Sequence, residues 1–175
     1  MKRILFAMFA LLFAVTVSAR SYVKVVSGDA NWRKSSGTVY VNIDYSSAKW
    51  DNDKPVKEFW PAEDWDSYMQ KGVSGWNEGM SKSKKANVTT TTNRSSADYV
   101  MNVKINNLDR FVDMLLLIPG GTVTKVWCTV TVTDKSGKTV CTYEVDYIQG
   151  DADYNVIDSF EKAMKATASE VIKCK

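Results

Sequence analysis

The aromatic residues are the first whose type and placement could do chemistry. Tryptophan stands at Trp32, Trp50, Trp60, Trp65, Trp76 and Trp127. An exposed indole stacks on sugars or anchors a partner, because it buries a large area at low entropic cost. Trp65 and Trp76 share a stripe with Tyr68, Met69, Gly72, Val73 and Met80 at helical spacing, which assigns the pair to a core. Trp50 and Trp60 sit in or beside the polar, turn-rich stretch from Ser46 to Lys57. They are the candidate ligand-stacking residues.

The second feature is the segment Phe111-Val112-Asp113-Met114-Leu115-Leu116-Leu117-Ile118-Pro119-Gly120-Gly121. It joins two expected strands, yet it is the most apolar stretch beyond the amino terminus. Connections are normally polar and exposed. Burial would make it a helical turn or strand extension that closes the core, and the cost of an exposed apolar run favours this. Exposure would make Phe111, Met114, Leu115, Leu117 and Ile118 a candidate partner patch or a membrane-surface contact.

Other chemistry is excluded by composition. The chain has no histidine. Ser-His-Asp and Cys-His nucleophilic sites, His-ligated zinc and H-E-x-x-H sites are therefore ruled out. Phosphate-loop, dinucleotide-fold and nucleophile-elbow motifs do not occur. Asp151, Asp153, Asn155 and Asp158 place oxygens in a calcium-loop manner, but Val156 and Lys162 stand where such a loop needs Gly and Glu. A helix amino-terminal cap is the better reading. No catalytic, cofactor-binding or metal residue is nominated, and no cofactor is expected. A pair of carboxylates meeting only in space stays open as an enzymatic alternative.

The amino terminus bears on compartment. Lys2 and Arg3 precede an apolar run from Ile4 to Val15, and Val17-Ser18-Ala19 ends on a small residue. This is the layout of a secretory signal peptide. Residues 1–19 are expected to be removed, leaving residues 20–175 as a single domain that is periplasmic or extracellular. The net charge of +3 then loses two basic residues and falls to +1. Neither value argues for nucleic acid. No later stretch has the length of a membrane-spanning helix. Cys128, Cys141 and Cys174 meet an oxidising compartment as an odd number, so one is left over or pairs between chains. A two-residue turn at Lys135-Ser136 would put Cys128 and Cys141 diagonally on one face. A three-residue loop closed by Gly137 would put them on opposite faces.

The elements that must position these residues follow from periodicity. Strands are expected over 22–26, 38–45, 87–91, 98–108, 121–133 and 138–149, from alternation and turn residues. Val39, Val41, Ile43 and Tyr45 share one face. So do Cys141, Tyr143, Val145 and Tyr147, while Trp127 faces away from Val126 and Cys128. Helices are expected over about 61–82 and 154–173. Gly72, Gly75 and Gly79 weaken the first, and their spacing implies close approach to a sheet or another helix. The order β-β-α-β-β-β-β-α indicates an α+β domain: a mostly antiparallel or mixed sheet of about five to six strands, with two amphipathic helices on one face.

The second half resembles small exported bacterial envelope proteins. The residues concerned are Ala97-Asp98-Tyr99-Val100-Met101, Asn107-Leu108-Asp109, Gly120-Gly121-Thr122, Asp134-Lys135-Ser136-Gly137-Lys138-Thr139-Val140 and the terminal amphipathic helix. Val25-Val26-Ser27-Gly28-Asp29 and Val41-Asn42-Ile43-Asp44-Tyr45 extend the likeness to the first strands. It implies an α/β sandwich similar to the amino-terminal domain of the envelope protein TolB, and to lipoproteins accessory to outer-membrane complexes. The lipid-attachment cysteine of the lipoproteins is lacking. The expectation is a non-enzymatic envelope protein acting through protein–protein contacts, accessory to an outer-membrane or periplasmic assembly. The alternative is a glycan-binding module using Trp50 and Trp60.

Overall fold

The structure is a computed structural model that describes residues 22–50, 53–56, 64–112 and 121–175. The strands are β1 (Val23–Gly28), β2 (Gly37–Asp44), β3 (Lys49–Trp50), β4 (Lys54–Pro55), β5 (Val88–Thr91), β6 (Tyr99–Val112), β7 (Thr122–Asp134) and β8 (Thr139–Gln149). The helices are α1 (Trp65–Ser81) and α2 (Val156–Lys173). Short 3₁₀ turns occupy Ala30–Lys34 and Arg94–Ser96.

The eight described strands form one mixed sheet with the main order β1-β8-β7-β6-β2-β5. β2 runs parallel to β5 and β6, while β1–β8, β8–β7 and β7–β6 are antiparallel. The α+β class is as expected, but five to six strands is an undercount. β3 and β4 are two residues each, within a stretch read as loop, and two residues are too few to show a period. β6 also runs to Val112, because its far half pairs residue for residue with β7 from Leu108↔Val126 to Val112↔Thr122.

Both helices lie on one face of the sheet, and the core sits between them and it. Met101, Val103 and Ile105 of β6 are buried there with Cys128, Val130 and Val132 of β7. Phe160, Met164, Ala168 and Val171 of α2 close the layer. The indole Nε1 of Trp76 on α1 donates to the Met101 sulfur at 3.2 Å. Val39, Val41, Ile43 and Tyr45 are buried as one set, as alternation predicts.

The glycines of α1 do what their spacing implies. A methyl built on Gly75 would meet the Glu161 backbone, and one on Gly79 the Lys165 backbone, both on α2. The helices therefore pack almost backbone to backbone along this seam. Salt bridges border the contact: Lys71 Nζ lies 2.7 Å from Glu161 and 3.1 Å from Asp158, and Lys165 Nζ lies 2.9 Å from Glu78.

The acidic run before α2 is a cap, and the capping residue is Asn155. Its side chain accepts from the Ile157 N–H at 2.8 Å, Asp153 accepts from the Asn155 N–H, and Lys162 holds Asp153 at 2.7 Å. The β7–β8 turn is the three-residue form, with Gly137 at φ +81° donating its N–H to the Asp134 carbonyl. A further irregularity at Val140 restores the phase, so Cys141 opposes Val132, Cys128 opposes Val145, and both face the core. Four strand residues separate those rungs, about 13 Å. That is too far for a disulfide, and all three cysteines are free.

Candidate functional site

The face of the sheet turned away from the helices carries the candidate site. Each core residue of β6, β7 and β8 alternates with an outward one. The outward rungs are polar. Asn102 pairs with Thr131 and Thr131 with Thr142, and the Asn42 amide donates to Asn102 at 3.2 Å. The next rung is Asp44, Lys104, Thr129, Glu144 and Lys24, each paired to the next across five strands. Lys24 and Glu144 form an ion pair at 2.8 Å, and the pairing raises the lysine's affinity for its proton.

One end of this face changes character. Tyr22, just before β1, lines up with Tyr147 of β8 and Trp127 of β7, with ring centroids 4.8 Å and 5.4 Å apart. Lys125 continues the row, its ammonium 5.3 Å from the Tyr147 ring and 4.6 Å from the Phe111 ring. All five side chains are half-buried. Lys125 makes no ion pair with any carboxylate among the described residues. It lies between two rings, a cation–π arrangement that keeps its charge near the surface. Tyr154, 69 % exposed, follows the bridge that pairs Thr122 with Asp153 at the same end of the sheet.

Local irregularities build this row. β8 has an extra residue opposite Trp127: Ile148 pairs with Val126 and Val145 with Cys128, leaving Asp146 and Tyr147 to face one residue of β7. The Asp146 N–H goes to the Tyr22 carbonyl at 2.8 Å. The shift corrects the expected facing of Tyr147. Strict alternation places it with Tyr143 and Val145 in the core; the bulge turns it outward and sends Ile148 inward. β6 carries its own bulge on the other flank, between Ile105 and Asn107, where Asn107 meets Trp127.

The residues nominated from the sequence fare unequally. Phe111 belongs to the row. Met114, Leu115, Leu117 and Ile118 lie outside the described residues, as do Trp60 and the signal-peptide segment. Trp50 is not an open stacking platform. It is 3 % exposed on the helix side of β3, pairs with Leu108, and carries the Arg110 guanidinium 5.4 Å from its ring centroid. Sequence reasoning missed Tyr22, Lys125 and Tyr147. The one available signal was the outward phase of Trp127.

Chemically, the row is a surface for stacking and apolar contact. No group of three or more metal-ligating side chains occurs among the described residues. No helix among them is long and apolar enough to cross a membrane.

No protein-family model matches the chain, and no curated protein matches it. Among solved structures it is similar to a PelC dodecamer from Paraburkholderia phytofirmans, in a form carrying a single substitution. The identity is 16 %, over 87 % of this chain and 98 % of that one, with a TM-score of 0.45. It is also similar to protein XCC0632 from Xanthomonas campestris, of family DUF330. There the identity is 10 %, over 84 % and 87 % of the chains, with a TM-score of 0.38. Likenesses this distant carry no functional argument.

Proposed function

We propose that this chain is an exported, non-enzymatic envelope protein that docks a partner protein on the open face of its sheet. The observation that carries the reading is the aromatic row from Tyr22 to Phe111. It adjoins the polar rungs in the middle of that face, and it leads along β6 into the apolar run that begins at Phe111. Aromatic residues concentrate the energy of protein interfaces, and surrounding polar groups form the rim.

The occupant is argued from the same residues. A glycan stacks on rings but would leave Met114, Leu115, Leu117 and Ile118 without apolar partners. An anionic membrane surface calls for clustered Lys and Arg near the apolar residues. Here Lys125 stands among rings, and Asp109 and Asp113 lie close by in sequence. A protein surface satisfies both the rings and the aliphatic run. Export rests on the basic Lys2-Arg3 start, the apolar Ile4-to-Val15 stretch and the Val17-Ser18-Ala19 end.

Photo-crosslinking in cells tests this. A photoreactive residue replaces Tyr147 on the open face, and in a second strain Glu170 on α2. The expected result is a defined heterologous adduct from position 147 and none from position 170. Leu115→Asp with Leu117→Asp should abolish the adduct while circular dichroism stays native. If that double variant unfolds, Tyr147→Ser serves in its place, with the photoreactive residue moved to Phe111. Equal adducts from both faces, or an adduct only with a second copy of the chain, would overturn the reading.

A further inference from the structure

Away from the aromatic row, at the opposite end of β1, the structure holds a buried arginine without a carboxylate. Arg33, in the 3₁₀ turn, is 3 % exposed. Its Nη1 donates to the Ala30 carbonyl at 2.6 Å, and its Nε–H has no hydrogen-bond partner. No Asp or Glu among the described residues lies within ion-pair distance of it. The nearby Asp29 carboxylate accepts from the Asn31 N–H at 2.8 Å and forms no ion pair with the guanidinium. Buried arginine is rare unless paired, and an unpaired buried charge is costly.

Arg33 lines a cavity of about 480 Å³, together with Val25, Gly28, Asp29, Lys34 and Lys175. Three of its lining side chains are cationic and one is acidic. Its wall is fixed in place. Trp32 donates its indole N–H to the Tyr143 hydroxyl at 2.9 Å. Asn87 donates its backbone N–H to the Arg33 carbonyl and its amide to the Lys34 carbonyl. The arginine is therefore preorganised, with its Nε–H unsatisfied.

We propose that this cavity binds a small oxyanion, a carboxylate or phosphate group, with Arg33 as its anchor and Lys34 and Lys175 at its mouth. A guanidinium edge matches two oxygens of one oxyanion, and such charge-assisted bonds are among the strongest in proteins. The anion supplies a counter-charge within ion-pair distance of Arg33, which no Asp or Glu among the described residues does. A volume near 480 Å³ is within the range of small-molecule sites.

The test follows the Arg33 Nε–H resonance in the ¹⁵N-labelled full chain at constant ionic strength. The signal is identified by its loss in Arg33→Met. Sodium glucuronate and inorganic phosphate are titrated separately, with chloride as the control. A saturable shift of the Arg33 signal with one or both is expected, and the arm that responds names the oxyanion. Lys34→Gln with Lys175→Gln should keep the fold and weaken binding severalfold. Absence of a saturable shift at millimolar concentration with either probe overturns the proposal. So does an equal response to chloride, or an affinity unchanged in the double lysine variant. None of these outcomes bears on the aromatic row.

Discussion

Gly79→Ala is the sharpest test of how the helical layer is built. In an exposed helix, replacing Gly by Ala gains about 1 kcal/mol of helix propensity. At Gly79 the structure reverses the sign. The added methyl carbon would stand 2.9 Å from the Ala168 Cβ and 3.0 Å from the Lys165 carbonyl carbon, and nearer still to the Lys165 oxygen. Carbon contacts relax at about 3.5–4.0 Å. The helices must therefore part by roughly 1 Å along a seam that also holds Gly75 against Glu161. Overpacking of this size costs about 1–3 kcal/mol, and opening the seam also weakens the contacts of Phe160 and Met164 beneath it. The expected net loss is up to about 2 kcal/mol after the propensity gain is subtracted, with the weakened contacts of Phe160 and Met164 keeping it above zero. Urea denaturation followed by tryptophan fluorescence measures it as a lower midpoint at constant slope. Ser74→Ala, at an exposed position of the same helix, is the control and should gain a few tenths of a kcal/mol. If Gly79→Ala is as stable as the parent, the backbone-to-backbone packing of α1 on α2 is refuted.

Three further outcomes follow from single groups. Tyr45 is 5 % exposed and its hydroxyl lacks a hydrogen-bond partner; Tyr45→Phe should raise the thermal midpoint, by about 1 kcal/mol or more in free energy, since an unsatisfied buried polar group costs that much. Glu78, beside Lys82 and Lys165, and Asp98, beside Lys135 and Thr38, titrate at about 2 in the fold, below their ordinary 4.5 and 3.8. Their contribution is complete above pH 4.5 and is lost as pH falls toward 2, so Glu78→Gln with Asp98→Asn should flatten acid denaturation between those values, and an unchanged acid limb would refute the assignment. Burial pushes the Cys128 thiol well above its usual range, so in the native protein a thiol reagent should label the partly exposed Cys174 first and reach Cys128 only on unfolding, as peptide mass spectrometry would show.

How much of this was legible in the sequence depends on period length. Val39 to Tyr45 and Val126 to Val132 run long enough for alternation to fix their buried face. The stripe from Trp65 to Met80 fixed the helix, though Met69 at its edge is 38 % exposed. Lys49-Trp50 and Lys54-Pro55 are too short for any period, so their pairing, and with it the burial of Trp50, was invisible. Tyr147 was assigned to the wrong face because a bulge is one residue of phase, and composition does not announce where that residue falls. Arg33 gave no signal at all. Its burial depends on Asn87, Tyr143 and Lys175, which are distant in sequence and meet only in the fold.

The bulges tie fold to proposed function. A regular sheet here would keep Tyr147 in the core and leave Trp127 without a ring beside it on β8. Two of the sheet's bulges, one on each neighbour of β7, fall at the level of Trp127. Had only chance placed them, no reason would bring them to one rung. Together they turn Tyr147 out beside Trp127 and set Asn107 against its other side. Beyond them β6 and β7 continue as a paired arm carrying Lys125 and Phe111 toward the apolar segment. The cost is borne locally, since the displaced Asp146 N–H is recovered by the Tyr22 carbonyl and Ile148 refills the core position Tyr147 gave up. A sheet that breaks its own register and then repairs the hydrogen bonds and the core around the break gains one thing by doing so, which is a second ring beside Trp127 where alternation would have left that indole alone on its rung.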